Sequence, residues 1–264
     1  MSGIAAIFHP QKEPINESLI KDITASMNLR GPDGLHYLLE NHIGLSHAHL
    51  KVHNQVSSKQ PANHENHCWI TAHARIDAEL SLIKKLALPA TTQLPDHTLI
   101  LTAYKKWGVD CLKHLIGDFA FIIWDEAQQR LFCATDQFSV NPLYYATLTN
   151  GICLSNSINT LRLHPQVSHE LNPQSVADYL VRRMNLKQGN TIFKDINRLP
   201  AAHYLIVENN QTIIKPYWQA NESAPLSIKK DSREYIDQFK ELLTQAVTDR
   251  IQSCLLYTSD AADD

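Results

Sequence analysis

The chain has 264 residues, 44% of them hydrophobic and 19% charged, with a formal net charge of -3, a balance that excludes the strongly basic surface a nucleic acid would need. No apolar run approaches the ~18 residues of a membrane-spanning helix, and no charged stretch precedes an apolar one at the start, so no membrane partner is implied and a cytoplasmic protein is expected. Five cysteines, odd in number and without C-x-x-C spacing, argue against a disulfide framework or a zinc knuckle and read as free, mostly buried thiols.

The chain opens on Ser2-Gly3-Ile4-Ala5-Ala6-Ile7-Phe8, a small hydroxyl residue followed by an apolar run that reads as a buried strand starting at residue 2. An initiator methionine before serine is normally trimmed, which would leave a free α-amine beside the Ser2 hydroxyl. With a reference pKa of about 7.7 to 8.0, such an amine can act as general base for the adjacent side chain. An ordinary N-terminal strand is the plainer reading of the same residues. Asn16 or Ser18 can then cap a helix with Leu19, Ile23 and Met27 inward, ending near Arg30. Gly31-Pro32-Asp33-Gly34 is turn punctuation before a hairpin of strands 36–39 and 43–50.

Residues 53–66 read as a polar loop, 68–76 as a strand ending at Asp77, and 78–86 as a helix. Asp96 is expected to cap a long helix with Leu99, Ile100, Ala103, Tyr104 and Trp107 inward, stopped at Gly108, with a short helix at 111–115 after it. Four strands follow, at 118–124, 130–135, 143–148 and 152–155. A helix over 173–182 has Asn172 as cap and Pro173 in first place, and a hairpin over 203–217 turns at Asn209-Asn210. Residues 221–230 are polar and read as a linker. Residues 235–251 are amphipathic, with Ile236, Phe239, Leu243, Ala246, Val247 and Ile251 on one stripe. Strands in runs with helices apart from them indicate an α+β architecture of packed layers.

Fourteen histidines include His47, His49, His64 and His67 beside Cys68. His47 and His49 would share a strand face, but His64-Glu65-Asn66-His67 falls in a polar loop without a second matched pair. No metal site is expected there.

These motifs together resemble the N-terminal domain of asparagine synthetase and related class II glutamine amidotransferases, over nearly the whole chain. Ser2-Gly3-Ile4 resembles the family's opening Cys-Gly-Ile, and Arg30-Gly31-Pro32-Asp33-Gly34 its most recognisable internal motif. Gly117-Asp118-Phe119-Ala120-Phe121, Trp124-Asp125, the run Asp136 through Tyr145, Thr191-Ile192-Phe193 and Tyr217-Trp218 resemble later landmarks. The resemblance implies a four-layer αββα sandwich of two antiparallel sheets over residues 1–220, the N-terminal nucleophile type, in which an N-terminal cysteine releases ammonia from glutamine. It implies a second domain that uses ATP and Mg to activate a carboxylate, beginning with the helix at 231–252. That domain's Ser-Gly-Gly-x-Asp-Ser loop does not follow. Residues 253–264 resemble translated adapter sequence instead, so the chain is expected to be a fragment with a non-native tail and no cofactor of its own.

The resemblance also places the glutamine pocket, residue by residue. Ser2 stands for the nucleophilic cysteine, and His49 for the arginine that clamps the substrate carboxylate, so a fixed charge becomes a titratable one. His73, Ala74 and Arg75 stand for Asn-Gly-Glu, which supplies the oxyanion hole and a carboxylate for the substrate amine; at Arg75 the charge is inverted. Asp96 is retained. Three readings follow: a degenerate domain kept as scaffold in an ATP-dependent amide-forming ligase, resembling lasso-peptide cyclases and β-lactam synthetases; an active glutamine-hydrolysing asparagine synthetase with Ser2 as nucleophile; and a non-enzymatic binding module. The full protein is expected to act on a small molecule or peptide, and its assembly, a homodimer included, is left open.

Overall fold

The computed structural model describes residues 1–51, 59–64, 67–89, 91–220 and 232–250. β1 (Gly3–Phe8) is buried at every position because both its faces meet a layer: Ile4, Ala6 and Phe8 enter one apolar core, Ala5 and Ile7 another. α1 (Glu17–Ser26) opens on Asn16, whose side chain accepts the Ser18 amide at 2.9 Å. It stops at Ser26, short of Arg30, and the chain goes on in turns that bring the Gly31 amide back to the Met27 carbonyl. The hairpin of β2 (Gly34–Glu40) and β3 (Ile43–His49) turns through Asn41 at φ 47°, a left-handed value that asparagine tolerates.

The expected loop at 53–66 contains a strand. β4 (Ala62–His64) pairs with β5 (Cys68–Ile76), and three residues are too few to show the alternation by which a strand is read; 53–58 and 65–66 lie outside the described residues. α2 (Glu79–Leu86) and α3 (Asp96–Trp107) follow. Gly108, at φ 58°, ends α3, and a 3-10 turn over Gly108–Lys113 replaces the helix expected at 111–115.

β6 (Gly117–Asp125), β7 (Arg130–Thr135), β8 (Tyr144–Leu148) and β9 (Gly151–Ser155) match their expected positions to within a residue or two. α4 (Ile158–Leu161) was too short to foresee. α5 (Pro173–Arg182) starts as expected, with the Asn172 side chain accepting from the Gln174 and Ser175 amides. After β10 (Asn197–Arg198), also unforeseen, β11 (His203–Glu208) and β12 (Gln211–Pro216) turn through Asn209 and Asn210, both at positive φ as a primed hairpin turn requires. α6 (Ser232–Arg250) covers most of 235–251. Ile251, the linker at 221–230 and the tail at 253–264 lie outside the described residues.

Among the described residues all ladders are antiparallel and form two six-stranded sheets, ordered β10-β8-β9-β1-β3-β2 and β12-β11-β7-β6-β5-β4. Between them lies a core that includes Ile4, Phe8, Leu45, Ile122, Trp124 and Leu205. α1 and α4 cover the first sheet through Ile20, Ile23, Met27 and Leu161, and α2 and α3 cover the second through Leu82, Ile83, Ile100 and Tyr104. This is the four-layer αββα sandwich. β6 shows why its strands read as unbroken apolar runs: Phe119, Phe121 and Ile123 face the helices while Ala120, Ile122 and Trp124 face the other sheet.

Both sheets and their covering helices are in place by Pro216, whereas α6 leaves Ile236, Phe239, Leu242 and Leu243 exposed. A chain ending at Asn221 is therefore expected to unfold in one cooperative step, with nearly the midpoint of the longer chain. A broad transition with strong dye binding would show instead that the sandwich depends on α6.

Candidate functional site

Five segments meet at one end of the sandwich: the start of β1, the 30–34 loop, the end of β3, the end of β5 and the start of α3. Register brings the first three together. β1 and β3 pair with Gly3 opposite Ala48, so Ser2 falls beside His49, and the Leu50 amide donates to Ser2 Oγ at 3.1 Å. Asn156 holds the strand end from the other side, its Nδ2 donating to Ser2 O at 2.8 Å while Oδ1 accepts from Ile4 N at 3.0 Å. The loop rests on β3 so closely that a Cβ on Gly31 would lie 2.1 Å from Ala48 C. Asp33 secures it: its amide donates to His49 O at 3.0 Å and its carboxylate accepts from Lys51 N at 2.7 Å.

β5 supplies the second wall, and its two-residue period decides what faces the pocket. Ala74 packs into the core under α2 and α3, so only its backbone is available on the pocket side. His73 and Arg75 project from the opposite face. His73 is held down to about 4, first by burial and then by the nearby amino terminus and the Arg30 guanidinium, which places it against the start of the chain. The amine of Met1 is lowered in turn by its own burial and by Arg30.

Histidines line the floor. His47 is fully buried, its Nδ1 lies 3.2 Å from Thr71 Oγ1, and its Nε2, like that of His49, meets no hydrogen-bond partner among the described residues. Burial holds His47 at about 3, with His49, His97 and His73 adding to the effect. His97, at the start of α3, is held at about 4 by burial and then by His49. Among the described residues no three His, Cys, Asp or Glu side chains converge as metal ligands.

Asp96 does not cap its helix. α3 has no side-chain cap, and Asp96 Oδ1 instead accepts from Ile76 N at 3.2 Å, tying α3 to the end of β5. Burial raises its carboxyl to about 6, against the pull of that amide, with Glu79 raising it further. Arg75 Nε lies 3.4 Å from Asp77 Oδ1, so the inverted charge is directed to a carboxylate of its own strand end. Ser2 stands opposite His49 in the β1–β3 register, His73 lies near the amino terminus, and Asp96 is tied to the end of β5 beside Arg75.

Sequence reasoning passed over His97 and Asn156, which carry no motif of their own and matter through strands distant in sequence, and Asp77, which pairs with Arg75. An open cleft of about 370 Å³ adjoins the site, lined by Arg30, Tyr144, Asn156, Asn159 and Phe193 among others. No described helix is long and apolar enough to cross a membrane.

The family model of the glutamine amidotransferase domain matches residues 1–218. Over 269 residues the chain is 23% identical to the glutamine-hydrolyzing asparagine synthetase 2 of Bacillus subtilis, an alignment covering 96% of this chain and 35% of that protein. It is 27% identical over 275 residues to amidase chyE of Penicillium rubens, covering 96% and 39%. The chain therefore spans well under half the length of these relatives. Among solved structures, the glutamine phosphoribosylpyrophosphate amidotransferase of B. subtilis, complexed with ADP and GMP, superposes with a TM-score of 0.58 at 12% identity, over 83% of this chain and 50% of that one. At that identity the likeness is one of fold.

Proposed function

This chain belongs to the glutamine amidotransferase domain family and is an asparagine synthetase-like member of it; from that premise we propose that it has lost glutamine hydrolysis and serves as the scaffold domain of an ATP-dependent amide-forming ligase. The observation that carries this reading is the charge at the end of β5. Where the family resemblance asks for a carboxylate to meet the substrate ammonium, Arg75 stands within 3.4 Å of Asp77. Asp96, the remaining carboxylate, is raised to about 6 and is in part neutral near that pH. The Arg75 cation repels an ammonium ion where binding would need to attract it, and Asp96 attracts it fully only above about pH 6.

The chemistry points the same way. The Ser2 hydroxyl accepts from the Leu50 amide, an orientation open to a nucleophile, but an alcohol must lose a proton that a thiol gives up more readily. His73 could donate one hydrogen bond to an oxyanion, while the second donor must come from the backbone near Ala74. The loss of one such donor typically costs about 2.7 to 4 kcal/mol of barrier. Each change alone is survivable. Together they remove substrate binding and transition-state stabilisation at once.

Such a ligase would join a carboxylate to an amine already in its substrate, a small molecule or a peptide, and would need no ammonia. ATP and Mg are not assigned to this domain. The nucleotide would be held by chain beyond it.

A coupled ammonia assay tests the reading. The parent chain is expected to release no ammonia from glutamine, and Ser2→Cys alone is expected to release none, because the thiol is restored while the substrate stays unbound. Adding His49→Arg, His73→Asn, Ala74→Gly and Arg75→Glu to Ser2→Cys should recover it. Glutamine-dependent ammonia from the parent, abolished by Ser2→Ala, would overturn the reading in favour of an active asparagine synthetase.

A further inference from the structure

Arg75 has a second set of partners that substrate chemistry does not explain. Its Nη2 donates to the carbonyl of Arg250, the last residue of α6, and Arg250 in turn reaches back with its own guanidinium. Arg250 Nη1 donates to Asp77 Oδ2 at 2.8 Å and Nη2 donates to Asp118 Oδ2. Asp118 lies opposite Arg75 in the β5–β6 ladder. Two arginines and two aspartates thus close a ring between the end of α6 and the strand ends beside His73.

The C-terminal end of a helix carries unsatisfied carbonyls and a partial negative charge, and a guanidinium donating to them is the favourable complement. A guanidinium can also fork between two carboxylates, as an ammonium cannot. Asp77 and Asp118 hold the Arg250 cation in place, with side chains 13% and 23% exposed. Apart from this end, α6 is exposed along its described length.

We propose that Arg75 is a docking residue, which with Arg250 latches the end of α6 across the mouth of the Ser2 pocket, so that a molecule of amino-acid size reaches Ser2 only when the latch is open. The charge inversion at position 75 is then a gain of an interdomain contact as well as a loss of a substrate contact. The proposal rests on the reading that this pocket no longer serves glutamine, and it is tested without any measurement of glutamine turnover.

The test uses the full chain with Ser2→Cys as a reporter and Cys254→Ser to remove the cysteine of the tail; Cys68, Cys111, Cys133 and Cys153 are buried. Iodoacetamide should alkylate residue 2 slowly in this background and roughly fivefold to tenfold faster after Arg250→Ala or Arg75→Ala, the range expected for a small network of partly exposed ion pairs. Arg250→Lys should fall between, since an ammonium meets one carboxylate but not two. At 1 M salt the background rate should rise toward that of Arg250→Ala, and Arg250→Ala itself should barely change. In parallel, nitroxide labels at Lys113 and Glu241 should give a narrow distance distribution that Arg250→Ala broadens. Equal alkylation rates in all variants, or a distribution unaltered by Arg250→Ala, would overturn the latch. Ammonia release by the parent would overturn the proposed function and leave this result standing.

Discussion

Acidification from pH 7 to about pH 4.5 is expected to cost the domain several kcal/mol of stability and to unfold it. Four histidines are held well below the ordinary value of about 6.5, each chiefly by burial: His47 at about 3, and His73, His97 and His164 at about 4. The unfolded chain takes up protons at these sites below about pH 6.5, whereas the folded chain refuses them until about pH 4. Stability is therefore complete above pH 6.5 and is lost as the pH falls through that window, because the unfolded state binds more protons. A deeply buried histidine of this kind is worth on the order of 3 kcal/mol across the full window.

Asp96 works in the opposite sense. Its carboxyl, raised to about 6, gains a proton in the folded state above the ordinary carboxylate value and so returns part of the loss between about pH 6 and pH 4. Glu40 and Glu79, whose carboxyls burial also raises, act in the same sense as Asp96, but they are more exposed and the four buried histidines stay in control. Denaturant titrations at pH 7.5, 6.0 and 5.0 should show the midpoint falling steadily with little change in slope. A midpoint independent of pH over that range would mean that the buried imidazoles are already protonated in the folded state, contrary to their surroundings.

The second large effect is expected at Asp136, which stands where the chain leaves β7 for the other sheet. Its carboxylate is 1% exposed and accepts four backbone amides, those of Phe119, Phe138, Val140 and Asn141, at 3.0 to 3.2 Å. Its own carbonyl accepts from Ser139 and Ala202. Asp136→Ala leaves those donors without an acceptor, at about 1 to 3 kcal/mol for each that stays buried, so a total loss of about 4 kcal/mol or more is expected even after some find other partners. For a domain of this size that lowers the thermal midpoint by roughly 10 °C. Asp136→Asn keeps one acceptor oxygen and should fall between. A midpoint for Asp136→Ala within 3 °C of the parent would show that the loop amides do not depend on this carboxylate.

The contrast between Asp136 and Asp96 shows how much of the site was legible. Asp136 sits in a local motif, and three of its four amides come from the next five residues, so its importance could be read from the run that follows it. Asp96 precedes an apolar helical pattern and has every local mark of a cap, yet it accepts from Ile76. The amide on which it depends belongs to another element, and no spacing reveals it. The same holds for His97, which matters through His49, and for Asn156, which matters through Ser2 and Ile4.

By itself the sequence determined what is local. Caps at Asn16 and Asn172, the turn through Asn209 and Asn210, the stop at Gly108 and the apolar runs of β1 and β6 follow from sterics and hydrogen bonds within a few residues, and each lies where it was expected. Only the tertiary structure decided which residues share a surface. It turned Ala74 into the core and left His73 and Arg75 facing the pocket, and it joined Arg75 to Arg250 across the whole length between them. Strand register and layer stacking place those side chains, and both are properties of elements distant in the chain that meet only when the sandwich closes.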